Sequence, residues 1–173
     1  MKPVIYLITG VMAAGKSTVG QLLAEQFPRG VHLRGDVFRK MIVSGREEMS
    51  GDASQEAVEQ LHLRYALSAA AAKGYWEAGF TVVLQDNYYG EEWPRMIERL
   101  SGLPVRPVVL CPPAEVVADR EQRRGKTGYV GFEVHDLCRG FAETTPRVGF
   151  WLDNGRMTPE ETVAAILAHW PDR

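Results

Sequence analysis

The stretch Val4-Ile5-Tyr6-Leu7-Ile8-Thr9-Gly10-Val11-Met12-Ala13-Ala14-Gly15-Lys16-Ser17-Thr18 constrains the fold more than any other part of the chain. A six-residue β-forming run ends at Gly10, four residues follow, and then come Gly15, Lys16 and Ser17. Helical spacing starts directly afterwards, with Val19, Leu22, Leu23 and Phe27 apolar at i, i+3, i+4 and i+8. Strand, G-x-x-x-x-G-K-S and helix in that order form the setting in which a loop cradles phosphate. Gly10 and Gly15 let the backbone turn so that successive N–H groups converge on phosphate oxygens at the positive end of the helix. Gly10, Ala13, Ala14, Gly15, Lys16, Ser17 and Thr18 are therefore the expected nucleotide-binding set. Lys16 is placed to reach the β- and γ-phosphates, and the Ser17 hydroxyl to ligate Mg²⁺.

A chain of 173 residues suits one domain with its own core, residues 1–173. The net charge of −2 and the lack of a basic stripe argue against nucleic acid or a membrane surface as partner. Cys111 and Cys138 have no C-x-x-C spacing and read as free thiols of a reducing cytosol, the expected location. His32, His62, His135 and His169 are scattered without ligand spacing. The apolar N-terminal run leads into the glycine loop rather than to a cleavage site, so it reads as the first strand, not as a signal peptide. The length leaves little chain for the assembly segments of an AAA+ motor, and N-K-x-D, the guanine signature of switch GTPases, is absent.

Further strands are expected at Val31–Arg34, Phe80–Asp86, Val105–Cys111 and Arg147–Leu152. Helices are expected at 37–42, at about 53–77 with Val58, Leu61, Tyr65, Ala69, Ala72 and Trp76 inward, and at 91–100, 114–124 and about 133–142. Thr158-Pro159-Glu160-Glu161 caps a closing helix that turns Val163, Ile166, Leu167 and Trp170 inward. Five apolar strands alternating with helices imply an α/β fold with a parallel sheet covered on both faces. Ligands then sit at the carboxyl ends of the strands.

Candidate chemistry falls at those ends. Asp36, after the second strand, is the candidate base for an acceptor hydroxyl, or else an N-cap for the following helix. Arg39, one turn on, can fix an anionic or polar acceptor group, whereas Arg34 reads as a charged strand end. Asp86 ends a four-apolar-Gln-Asp run and is expected to hold metal or acceptor, with Asn87 beside it. Tyr88 and Tyr89 read as packing. Arg120, Arg123, Arg124 and Lys126, followed by glycines, suggest a lid over residues 120–132 that closes on the nucleotide.

Gly10 to Thr18, Gly35-Asp36, Val82 to Asp86 and Arg120-Glu-Gln-Arg123-Arg124-Gly together resemble the small phosphate-loop kinases of the chloramphenicol phosphotransferase and zeta-toxin-like group. The motif order is similar also to adenylate- and shikimate-type kinases. The resemblance implies strand order 2-3-1-4-5, ATP or GTP with Mg²⁺, and an aspartate at the Asp36 position as the acceptor's base. It places Arg120 against the purine, Arg123 nearer the phosphates, and residues 153–157 beside the base. It implies transfer of the γ-phosphate to a small hydroxylated molecule, an antibiotic such as chloramphenicol or a capuramycin-type nucleoside. The residues leave open a nucleotide, sugar-nucleotide or polynucleotide kinase, a nucleotide-dependent sensor, and a homodimer.

Overall fold

The computed structural model describes residues 2–125 and 133–171. Five strands, β1 (Ile5–Thr9), β2 (Gly30–Arg34), β3 (Thr81–Gln85), β4 (Val105–Leu110) and β5 (Phe150–Leu152), form one sheet in the order β2-β3-β1-β4-β5, and every pairing is parallel. This is the order the sequence resemblance implies. β1 and β3 are buried along their full length, which is why both read as unbroken apolar runs rather than alternating ones.

Helices α1 (Lys16–Glu25), α2 (Asp36–Lys40), α3 (Gln55–Glu77), α4 (Glu92–Arg99), α5 (Ala114–Arg124), α6 (Val134–Thr144) and α7 (Pro159–His169) connect and flank the strands. Helix α3 starts from Ser54, whose hydroxyl accepts from Ala57 N. Its inward stripe begins at Ala57 rather than at the expected Val58, which is exposed; Tyr65, Ala69 and Ala72 continue it. Helix α7 opens with the reciprocal cap that its sequence announces: Thr158 Oγ1 accepts from Glu161 N while Glu161 Oε2 accepts from Thr158 N, with Pro159 at the first helical position. Val163 and Ile166 are buried, while Trp170 turns its edge to Tyr6 and Phe150.

β5 is shorter than the expected Arg147–Leu152. Gly149 adopts φ +85°, where a Cβ would collide with the carbonyl of Pro107, and this turn holds 147–149 out of the ladder. Among the described residues no helix is long and apolar enough to cross a membrane.

Candidate active site

The loop from Gly10 to Gly15 turns through three residues of positive φ: Gly10 (150°), Ala13 (62°) and Gly15 (99°). A side chain on Gly10 would strike the Leu110 carbonyl, so the glycine is needed for close approach to β4. Ala13 is the only non-glycine residue at positive φ among the described residues, strain that belongs to a working loop rather than to a connector. Gly15 brings in α1 with no side chain over its first turn, leaving that end open to an anion.

Lys16 is 8% exposed and donates through Nζ to the carbonyls of Gly10 (2.6 Å) and Val11 (2.7 Å). Burial lowers its pKa from 10.5 to about 7; Asp86 opposes that shift, while Arg124 and Arg64 add to it. The Ser17 hydroxyl accepts from Gln85 Nε2 at 3.1 Å. Gln85, the last residue of β3, passed unremarked in the sequence because it precedes the acid of its run. It is the residue that meets Ser17.

Asp86 lines the same cavity and is held by Arg64. Only 4% exposed, its carboxylate is gripped from two sides by Arg64, with Nε on Oδ2 at 2.7 Å and Nη2 on Oδ1, and Asn87 N donates to Oδ1 at 2.7 Å. Arg64 also comes within 3.7 Å of Asp36. It projects from α3 into the cavity, and no sequence motif marks it. Gly35 lies against this pair: a Cβ there would overlap the Asp86 carboxylate, so the glycine before Asp36 makes room for the neighbouring acid.

Asp36 is the first residue of α2, with Gly35 at the N-cap and no side-chain cap hydrogen bond, so the N-cap alternative does not hold. Its carboxylate is turned to Arg39 (Nε, 3.0 Å) and Lys40 (3.2 Å). Burial alone would raise its pKa, but the hydrogen bonds and charges of Arg39, Lys40 and Arg64 outweigh it and hold the group below its ordinary value.

Arg120 lies across the glycine loop, donating to the carbonyls of Ala13 (3.4 Å), Ala14 (3.2 Å) and Asn154 (3.2 Å). Asn154, buried in the β5–α7 connection, donates its Nδ2 to Ala14 O at 3.0 Å and ties that connection to the loop. Arg123 pairs with Asp119 on the exposed face of α5, and Arg124 lies 3.6 Å from Glu121. Gly125 closes α5 in the left-handed conformation; the remainder of the expected lid, 126–132, lies outside the described residues. Tyr88 and Tyr89 pack, Tyr88 against Tyr65 and Trp93, and Tyr89 against Phe141.

A cavity of about 700 Å³ gathers these groups. Lys16, Ser17 and Thr18 line it at the phosphate loop, Arg120, Arg123, Arg124 and Asn154 on one side, and Asp36, Arg39, Arg64, Asp86 and Asn87 on the other. Ala13 and Gly15 line it too, whereas Gly10 and Ala14 lie behind it as backbone partners of Lys16, Arg120 and Asn154.

Loop, sheet order and cavity define the phosphate-loop kinase fold. The chain belongs to the AAA domain family, whose model matches residues 5–138. That match covers the nucleotide-binding core and leaves the expectation against a motor assembly untouched. No curated protein sequence matches the chain. Among solved structures it is similar to the Deinococcus radiodurans tunicamycin resistance protein (TM-score 0.74, 17% identity, 97% of this chain and 95% of that one). It is similar also to a sugar kinase from Janibacter sp. (0.67, 17%, 96% and 93%) and to the Mycobacterium tuberculosis APS kinase in complex with AMPPNP and APS (0.71, 16%, 96% and 96%).

Proposed function

We propose that this protein moves the γ-phosphate of ATP or GTP onto a hydroxyl of a small molecule. The observation that carries the reading is one cavity lined both by the Lys16–Ser17 phosphate cradle and by the Asp36 carboxylate. Phosphoryl transfer needs little covalent help from the protein; it needs positioning and charge. Asp36 orients the acceptor O–H and takes its proton as the new O–P bond forms and the bond to the β-phosphate oxygen breaks, releasing the nucleoside diphosphate. Lys16 moves from the loop carbonyls to the β- and γ-phosphates, and Arg120, Arg123 and Arg124 line the donor side.

The donor set suits Mg²⁺: Ser17 offers a hydroxyl oxygen at the cavity wall, and the Gln85 amide is hydrogen-bonded to it. Ser17 would hold the ion, and Gln85 orients that hydroxyl. Asp86 keeps its place with Arg64 on the acceptor side, beside Asn87. Bound Mg²⁺ supplies neutralisation of charge on the transferring phosphoryl group.

An antibiotic is one acceptor class for this site, in keeping with the sequence resemblance and with the structural similarity to a tunicamycin resistance protein. The test is transfer of label from γ-³²P ATP or GTP to a panel of hydroxylated antibiotics, sugars, sugar acids, nucleosides and sugar nucleotides. Asp36→Asn runs in parallel. Transfer should fall at least about 100-fold in the variant, with nucleotide affinity within a few-fold of the parent. Transfer intact in Asp36→Asn removes the base assignment. Nucleotide binding without transfer to any acceptor makes the protein a sensor.

A further inference from the structure

One guanidinium carries two carboxylates at the acceptor end. Arg39 donates Nε–H to Asp36 at 3.0 Å, and its Nη1 meets both oxygens of Glu48 at 2.5 Å. Glu48 belongs to the segment between α2 and α3, and Arg46 Nε lies 3.1 Å from its Oε1. Contacts that do not involve the Glu48 carboxylate hold that segment on α3. Gln60 donates to Gly45 O (2.8 Å) and accepts from Glu47 N (2.9 Å), and Ser54 Oγ lies 3.5 Å from Glu47 Oε2. The fold therefore delivers Glu48 to Arg39 without depending on that ion pair, and an exposed pair contributes little to stability. Without Glu48, this end of the site sets Arg34, Arg39, Lys40 and Arg64 against Asp36 and Asp86, four cations against two carboxylates. Arg34 lines the same cavity with no ion-pair partner among the described residues.

We propose that Glu48 stands in for an acidic group of the acceptor, and that the acceptor is a hydroxylated anion whose carboxylate or phosphate displaces Glu48 from Arg39. This rests on the kinase reading and narrows its substrate. An oxyanion on Arg39 takes the place of the two Glu48 oxygens at Nη1, and Arg34 supplies a second cation from β2. The acceptor carries its hydroxyl and its acidic group close together, one guanidinium apart, so that the first meets Asp36 while the second sits on Arg39. An uncharged acceptor would leave Glu48 in place and Arg34 unused.

The test needs no knowledge of the acceptor. With Mg·AMPPNP filling the phosphate loop, inorganic phosphate is titrated into the protein, and binding is read from the Nε–H resonances of Arg39 and Arg34. Acetate in a parallel titration separates a carboxylate site from a phosphate site. Saturable binding of either anion is expected, tightened about threefold to tenfold in Glu48→Gln, where the competing charge is gone, and weakened in Arg34→Ala. Glu48 is exposed and the segment is anchored by Gln60, so Glu48→Gln keeps its fold. Binding of neither anion, or equal binding in the parent and Glu48→Gln, overturns the proposal while Mg·AMPPNP binding leaves the nucleotide site standing. Failure to bind Mg·AMPPNP overturns the kinase reading and this proposal with it.

Discussion

Nucleotide binding by this protein should take up a proton, with Lys16 setting how much. Burial brings its pKa down from 10.5 to about 7, partly opposed by Asp86, so in the free protein the ammonium is half formed near neutrality. The β-phosphate of the nucleotide arriving at Nζ restores the charge. The uptake on binding is then about 0.9 proton at pH 8, about 0.5 at pH 7 and about 0.1 at pH 6. Affinity should weaken by about tenfold per pH unit above roughly pH 8. Calorimetric titration with Mg·ADP in buffers of different ionisation enthalpy reads the uptake directly, since the last phosphate ionisation, at about pH 6, is over in the upper part of that range. Lys16→Arg keeps a cation that cannot deprotonate, and its uptake at pH 8 should vanish. The sign for folding is the opposite of that for binding. The unfolded chain holds more protons than the unliganded fold between pH values of about 7 and 10.5, so the burial penalty is full below that window and relieved as pH rises through it. Uptake below about 0.2 proton at pH 8, or uptake that fails to decline towards pH 6, would refute a buried Lys16 freed by phosphate.

Three further substitutions probe the supports of the site. Arg64→Met strands the Asp86 carboxylate in a buried position and should cost about 3 kcal/mol in urea unfolding, with much of that recovered in Arg64→Met/Asp86→Asn; a loss below about 1 kcal/mol would mean the pair is not what holds Asp86. Gly35→Ala pushes a methyl group into that carboxylate and should cost about 1–3 kcal/mol, but less in an Arg64→Met background where Asp86 is free to swing aside; equal losses in both backgrounds would deny the contact. Gln85→Leu removes the hydrogen bond to Ser17 and should weaken Mn²⁺·ADP about threefold to tenfold by electron paramagnetic resonance titration; unchanged metal affinity would return the metal role to Asp86.

What could be read from the residues is what local pattern encodes. The β1 and β3 runs, the glycine loop and the Thr158 cap depend on neighbours in sequence, and each has its physical counterpart where the pattern puts it. Asp36 and Asp86 could be singled out because strand ends are privileged in a parallel sheet. Arg64 could not. It sits in the middle of a long helix between His62 and Tyr65, and only the packing of α3 over β2 and β3 carries it to two acids 28 and 22 residues away. Gln85 was hidden by its neighbour: an acid at the end of an apolar run draws attention, yet the alternation along the strand turns the preceding residue to Ser17. Arg120 stands out in the sequence as part of a cation cluster, but its position on the loop carbonyls is a tertiary outcome, set by where α5 leaves β4 and by the approach of Asn154.

Arg64 also joins the two strand-end acids. β2 and β3 are neighbours in the sheet, and the acids that follow them line the same cavity. A protonated Asp36 could not receive a proton from an acceptor, so its charge has to be held. Arg39 and Lys40 hold the Asp36 charge, and the Arg64 guanidinium, bound to Asp86 and 3.7 Å from Asp36, adds to that hold. The same cations make Asp36 a weak proton acceptor. That suits phosphoryl transfer, where bond breaking to the leaving group runs ahead of attack and the hydroxyl needs aiming more than early deprotonation. In the proposed reaction Asp36 is therefore first an orienting group, and it takes the proton late, once the oxygen has lost electron density to phosphorus. The arginines that lower its basicity are the ones that line the acceptor end of the cavity, so positioning the acceptor and tuning the base are two effects of one charge cluster.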